Sequence, residues 1–153
     1  MPMTRRFVKY GTIVSFVALL TAQALQPTYA QQRTLYERLG GYNAIAAVVN
    51  EFADRLFGDP KLKTFFGGMS TDSQRRFKQL NIDLVCSATG GPCQYLGRDM
   101  GTAHRGIGIT DENFDAVARH LVATLDRFKV PTAEKDELVK VVSGLRLAIV
   151  ERK

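Results

Sequence analysis

Two histidines and two cysteines are the side chains of this 153-residue sequence best suited to hold a metal or a covalent link. His104 lies in a glycine-rich stretch, Met100-Gly101-Thr102-Ala103-His104-Arg105-Gly106-Ile107-Gly108. His120 ends the run Phe114-Asp115-Ala116-Val117-Ala118-Arg119-His120, which reads as the middle of a helix. Taken alone, either is as ordinary as any surface or core histidine. Cys86 and Cys93 flank a Gly90-Gly91-Pro92 turn and do not form, with His104, the closely spaced ligand doublets of a zinc site. A Gly-x-Ser-x-Gly elbow, a phosphate loop and a dinucleotide fingerprint are all missing, which removes the common hydrolase and nucleotide-binding classes.

The aromatic residues say more. Phe52, Phe65, Phe66, Phe77, Tyr95 and Phe114 are spread over five segments around the His104 stretch. Rings so placed either fill a helical core or hold a large flat apolar guest by edge and face. A porphyrin is such a guest, and its iron asks for one nitrogen ligand that a neutral imidazole supplies. On periodicity alone, the plain core reading takes precedence.

The segments that would position these residues read as helices, with no alternating stretch to argue for a strand. Thr34 caps a short first helix through Leu39, ended by Gly40-Gly41. Tyr42 or Asn43 opens a second, with Ile45, Val48, Val49, Phe52 and Leu56 on one face. Gly58 and Pro60 close it, and a short turn carries Leu62, Phe65 and Phe66. Ser70 or Thr71 starts a longer helix presenting Phe77, Leu80, Asn81, Leu84 and Val85, ending at Gly90. From Gly91 to Gly108 the pattern is a loop with one turn around His104. A connection of that length is uncommon in a compact domain unless it binds something. Thr110, with Asn113 three residues on, caps a helix to about Lys129. A last helix follows Pro131, with Leu138, Val141, Val142, Leu145 and Ile149 at helical spacing.

Residues 1–30 have the order of a secretory signal peptide. Arg5, Arg6 and Lys9 precede an uncharged apolar run from Ile13 to Leu25, then Pro27 and the small-residue site Thr28-Tyr29-Ala30. The run falls short of the roughly 20 residues that span a bilayer, so a cleaved leader is favoured over a retained anchor, and membrane association is expected only if the leader is kept. The expected domain is 31–153, and its location periplasmic or secreted. The formal charge of +6 includes the three basic residues of the leader. The remaining bases and acids alternate along the chain, so nucleic acid is not an expected partner. An even cysteine count in an exported chain favours a Cys86–Cys93 disulfide over two reduced, buried thiols.

From Thr34 to Arg152 the sequence resembles the group I truncated haemoglobins. The pieces that carry the likeness are Leu35-Tyr36-Glu37-Arg38-Leu39-Gly40-Gly41, Val48-Val49-Asn50-Glu51-Phe52 and Asp59-Pro60-Lys61-Leu62-Lys63-Thr64-Phe65-Phe66. The Gly90-Gly91-Pro92 turn with Tyr95 and Gly97 follows, then the most specific piece, Met100 to Thr110 with Phe114-Asp115. The resemblance implies an all-α, two-over-two helical sandwich enclosing a non-covalent b-type haem. The cysteines are not a CxxCH pair, so covalent c-type attachment has no support.

By the same resemblance His104 is the proximal iron ligand, and Phe66 packs near the distal corner. Phe52, Phe65, Phe77, Leu84, Val85, Tyr95, Met100, Ile109, Phe114 and Val117 line the slot. Arg76 or Lys78 would meet the propionates. Many members carry a tyrosine directly after the phenylalanine of the second helix; this chain has Ala53 there. Phe77 and Asn81 take the next distal positions, one turn apart. Asn81 is then the expected direct hydrogen-bond donor to a gas ligand, with Gln74 and Gln79 as remoter ones.

The implied function is reversible binding of dioxygen or another diatomic gas (nitric oxide, carbon monoxide) at His-ligated iron. Oxidation of nitric oxide is compatible with this set but calls for a reductase the chain does not supply. Strong peroxidase chemistry is not expected, since no distal histidine remains. The alternative is a six-coordinate haem protein for electron transfer or sensing.

Overall fold

The computed structural model describes residues 33–151, so the leader reading lies outside the described residues. Among the described residues there is no strand, and each helix starts where the local chemistry requires. Helix α1 (Leu35–Arg38) opens on a capping box: Glu37 N–H donates to Thr34 Oγ1 at 3.2 Å and Thr34 N–H to Glu37 Oε2 at 2.9 Å. Helix α2 (Gly41–Gly58) begins slightly earlier than expected, because Gly40 at φ 94° turns the chain straight into it. Asp59 caps a 3-10 turn, Pro60–Leu62, that leads into α3 (Lys63–Phe66).

Ser70 caps α4 (Thr71–Ala88). Asp99 caps α5 (Met100–His104) by accepting from Thr102 N–H at 2.9 Å, so the long loop holds slightly more helix than one turn. Thr110 and Asn113 form a second capping box at α6 (Asp111–Arg127). The last expected helix is broken in two. Helix α7 (Thr132–Ser143) stops at Gly144, and α8 (Arg146–Ile149) restarts after Leu145. Apolar spacing alone could not reveal this, because Leu145 and Ile149 keep the helical interval across the break.

Helix α2 packs on α4 and α6, and α6 packs on α7, giving two helix pairs face to face. Helix α1 rests on α2 and α7, and α5 rests on α8. Leu35, Leu121, Leu125 and Leu138 form one buried cluster where α1, α6 and α7 meet. Ile45, Val49 and Ile82 join α2 to α4, and Leu56, Leu62 and Ala116 join α2, the 3-10 turn and α6. Each such aliphatic side chain stabilises by about 1.5–3 kcal/mol on burial. Cys86, at the end of α4, is bonded to Cys93, with their Cα atoms 5.7 Å apart. Gly91 makes the turn possible: a Cβ there would lie 2.5 Å from the Tyr36 ring and 2.7 Å from Cys86 Sγ.

Candidate haem site

The three clusters leave space between them. A cavity of about 440 Å³ opens between α2, α4, α5, α6 and the α7–α8 bend. Its walls take in Phe52, Phe65, Phe66, Phe77, Asn81, Leu84, Val85, Tyr95, Met100, His104, Ile109, Phe114 and Val117. Thirteen of the fourteen residues expected from the sequence are therefore brought to one cavity. All of the thirteen except Phe114 are half-buried, since each turns one side to the cavity.

Ala53 is the exception. It is fully buried at 0% exposure but does not line the cavity. The expected tyrosine position is thus occupied by a methyl group packed within the helix layers. Phe57, which the sequence reading omitted, stands with Phe66 and Phe77 in a triad of rings, each pair of centroids 5.5 Å apart. Tilted and edge-on contacts of this kind favour particular ring planes, so Phe57, outside the cavity lining, backs the Phe66 and Phe77 rings that line it.

His104 ends α5, where Asp99 and the glycines around it set the backbone. Its Nδ1 lies 2.8 Å from the Met100 carbonyl oxygen. A carbonyl only accepts, so Nδ1 carries the proton and Nε2 keeps its lone pair for a metal. Met100 contributes a wall and the orienting carbonyl. Tyr95 donates its hydroxyl to Arg98 O at 2.8 Å, which leaves its ring for the cavity. Burial pushes the Tyr95 phenol above its ordinary range, and the Asp99 charge adds to this.

On the opposite wall, Asn81 Nδ2 donates to the Phe77 carbonyl at 2.8 Å. One of its two amide hydrogens is therefore held by its own helix, and the other remains. The remoter donors are turned elsewhere: Gln79 donates to Tyr42 Oη and Asp83, and Gln74 to the Met69 carbonyl. Lys78 is also accounted for. It pairs with Asp54 at 2.6 Å and lies 6.0 Å from the Phe57 ring, so α2 engages its ammonium. Arg76 is exposed on α4 beside Phe77 and does not line the cavity. His120 is 2.7 Å from Asp59 Oδ2 and does not line the cavity.

Ile45, Val49, Leu138, Val142, Leu145 and Ile149, expected from helical spacing as helix faces, also reach the cavity, and so does Leu121, which carried no such expectation. Only the bend at Gly144 lets Leu145 and Ile149 close over one space. Leu80, Ala103 and Ile107 line it as well. Among the lining side chains only Asn81, Tyr95, His104 and Asn113 carry nitrogen or oxygen, and none is an acid or a fixed cation. Asn113 is taken by the Thr110 cap. A broad apolar slot with one free imidazole nitrogen fits a haem better than a hydrophilic cofactor.

Comparison with known proteins agrees with this geometry. The Bacterial-like globin family matches residues 34–151. The group 1 truncated hemoglobin of Tetrahymena pyriformis is 37% identical over 114 residues, 74% of this chain and 92% of that protein. The GlbN protein of Mycolicibacterium paratuberculosis is 34% identical, covering 76% of this chain and 83% of that one. The Fe(III) crystal structure of the Tetrahymena pyriformis protein superposes with a TM-score of 0.72 at 33% identity, over 78% of this chain and 100% of that one. The 2/2 hemoglobin of Synechococcus sp. PCC 7002, solved in the cyanomet state with covalently attached heme, gives 0.71 at 32% identity, over 78% and 100%. A slot built for a flat apolar guest, an imidazole poised at its wall and relatives matched along the whole described domain place this chain in the bacterial-like globin family, among the group 1 truncated hemoglobins.

Proposed function

We propose that this globin binds a diatomic gas reversibly at a non-covalent b-type haem held by His104. The observation that carries the reading is the Nδ1–Met100 hydrogen bond at 2.8 Å, which leaves Nε2 as the one uncommitted nitrogen lone pair on an otherwise apolar wall. When bound, haem supplies an iron with an open position for the gas. The chain's own work is to orient His104, exclude water with the Phe57–Phe66–Phe77 triad and present a single short donor from Asn81. Each neutral hydrogen bond to a ligand is worth about 1 kcal/mol, or several-fold in release rate. With Ala53 buried where relatives of this kind carry a tyrosine, we expect faster oxygen release than in those relatives.

The test is the absorption spectrum of the purified domain in ferric, ferrous and carbon-monoxide forms. A Soret band that is lost in His104→Ala and partly restored by added imidazole supports the reading. A native chain that stays colourless and takes up no hemin refutes it. Sharp split bands in the ferrous form without added ligand would favour the six-coordinate electron-transfer or sensing role instead.

The same proposal includes export through residues 1–30, supported by the disulfide, which persists in oxidising compartments. N-terminal sequencing of protein recovered from the periplasm or medium should begin at Gln31. An intact N-terminus would argue for a retained leader.

A further inference from the structure

The proximal loop is held from an unexpected direction. After His104 the chain runs through Arg105 to Thr110 with two glycines, Gly106 and Gly108, both at φ 78°. This backbone turns the N–H groups of both glycines onto one carboxylate, that of Glu151 near the end of the chain. Gly106 donates to Glu151 Oε1, and Gly108 to Oε2 at 3.1 Å. Glu151 N–H in turn donates to the Ile109 carbonyl at 2.9 Å.

The clasp is fixed at its other end too. Helix α8 packs on α5, with the Ala148 carbonyl oxygen 3.8 Å from where a Cβ on Gly101 would sit. Arg146 of α8 pairs with Asp111 at 2.6 Å and with Asp115, and its guanidinium lies 4.5 Å from the centre of the Phe114 ring. The tail is thus pinned to α6 by Arg146 and reaches across to the His104 loop with Glu151.

We propose that Glu151 is a positioning residue for the proximal ligand: through Gly106 and Gly108 it sets the loop that orients the His104 imidazole. This rests on the reading of His104 given above. A carboxylate accepting two backbone N–H groups makes charge-assisted bonds, stronger than neutral ones. Holding both sides of a loop directly after a ligand restricts the ligand's ring plane, as outer partners of metal-bound histidines do. The break at Gly144 acquires a purpose, since a continuous last helix would carry residues 146–151 away from α5.

The experiment compares holo native protein with Glu151→Ala, Glu151→Gln and a control, Glu134→Ala. The control cuts the Arg38–Glu134 bridge between α1 and α7 without touching the loop. Hemin loss to an excess of an acceptor apoglobin and the iron–histidine stretching band of the ferrous form are the readouts. Glu151→Ala should accelerate hemin loss about tenfold, the size of one charge-assisted hydrogen bond, and shift or broaden the stretching band. Glu151→Gln keeps the shape and a neutral acceptor, so it should fold like the native chain and show a smaller change in the same direction.

Amide exchange should quicken at Gly106 and Gly108 in both Glu151 variants and stay native in the control. Native-like hemin loss and stretching band in Glu151→Gln and Glu151→Ala, or changes no larger than in Glu134→Ala, would overturn the proposal. Should Glu151→Ala not fold, Glu151→Gln and its exchange rates decide alone. A native chain that takes up no hemin defeats the globin reading and this inference together, whereas native binding with silent Glu151 variants defeats this inference only.

Discussion

Stripping the haem from the protein should remove most of the cooperativity of its fold. The cavity of about 440 Å³ is walled almost wholly by carbon. An apolar void costs about 24 cal/mol per Å³, so one of this size left dry would cost ~10 kcal/mol. A single domain is stable by only about 5–15 kcal/mol in total. Closure of the walls on half the volume would still leave about 5 kcal/mol of lost stability, which is ~15 °C in Tm for a domain of this length.

The structure also says where the loss should fall. Leu35, Leu121, Leu125 and Leu138 keep one another as partners even though the last three also face the slot, whereas α5 rests chiefly on α8. The apo chain should therefore keep much of its far-UV helical signal, lose near-UV fine structure and melt over a broad range. One equivalent of hemin should restore a sharp transition at least 15 °C higher. Calorimetry with paired near- and far-UV dichroism reads both effects. A sharp apo transition within a few degrees of the holo protein would refute the view that the fold is built around an apolar guest.

Three further perturbations have clear directions. Asn81→Ala removes the one amide near the distal corner and should raise the oxygen release rate several-fold by stopped-flow, at about 1 kcal/mol per neutral hydrogen bond; an unchanged rate would mean that the amide held by Phe77 does not reach the ligand. Gentle reduction of the Cys86–Cys93 bond, or Cys86→Ser with Cys93→Ser, should cost about 2.5 kcal/mol in urea titration through restored chain entropy; an unshifted midpoint would show that the reduced loop is already held by its own turn, where Gly91 N–H donates to the Cys86 carbonyl at 2.8 Å.

Asp59 accepts from His120 Nε2 and from Lys61 N–H, and these bonds, His120 first, hold its carboxyl below the ordinary value of 3.8. A carboxyl lowered in the fold stabilises it above the unfolded value and loses that contribution as pH falls through the folded one. Stability should therefore lose this contribution only below about pH 3.8. Asp59→Asn should flatten that part of the acid titration, and identical acid slopes in the two proteins would contradict the assignment.

Much of this molecule was legible in its sequence for local reasons. Helix starts are decided by residues three apart, and Thr34 with Glu37, Ser70 with Ser73 and Thr110 with Asn113 cap the helices expected of them. Cys86 and Cys93 could be paired because the Gly90-Gly91-Pro92 turn lies between them. The wall residues of α2 and α4 followed from helical spacing, and His104 from a resemblance carried by its glycine-rich neighbours.

What remained hidden depends on distances between segments far apart in the chain. Nothing near Ala53 discloses that its methyl faces away from the cavity. Nothing near Lys78 discloses that Asp54 holds it. The interval from Leu138 to Ile149 is helical on both sides of the Gly144 break, so periodicity is blind to it. Glu151 finds Gly106 and Gly108 only because α8 folds back onto α5. Short-range hydrogen bonding and apolar spacing act over three or four residues and are written in order along the chain. The fit of one wall against another is a property of volume, and only packing decides it.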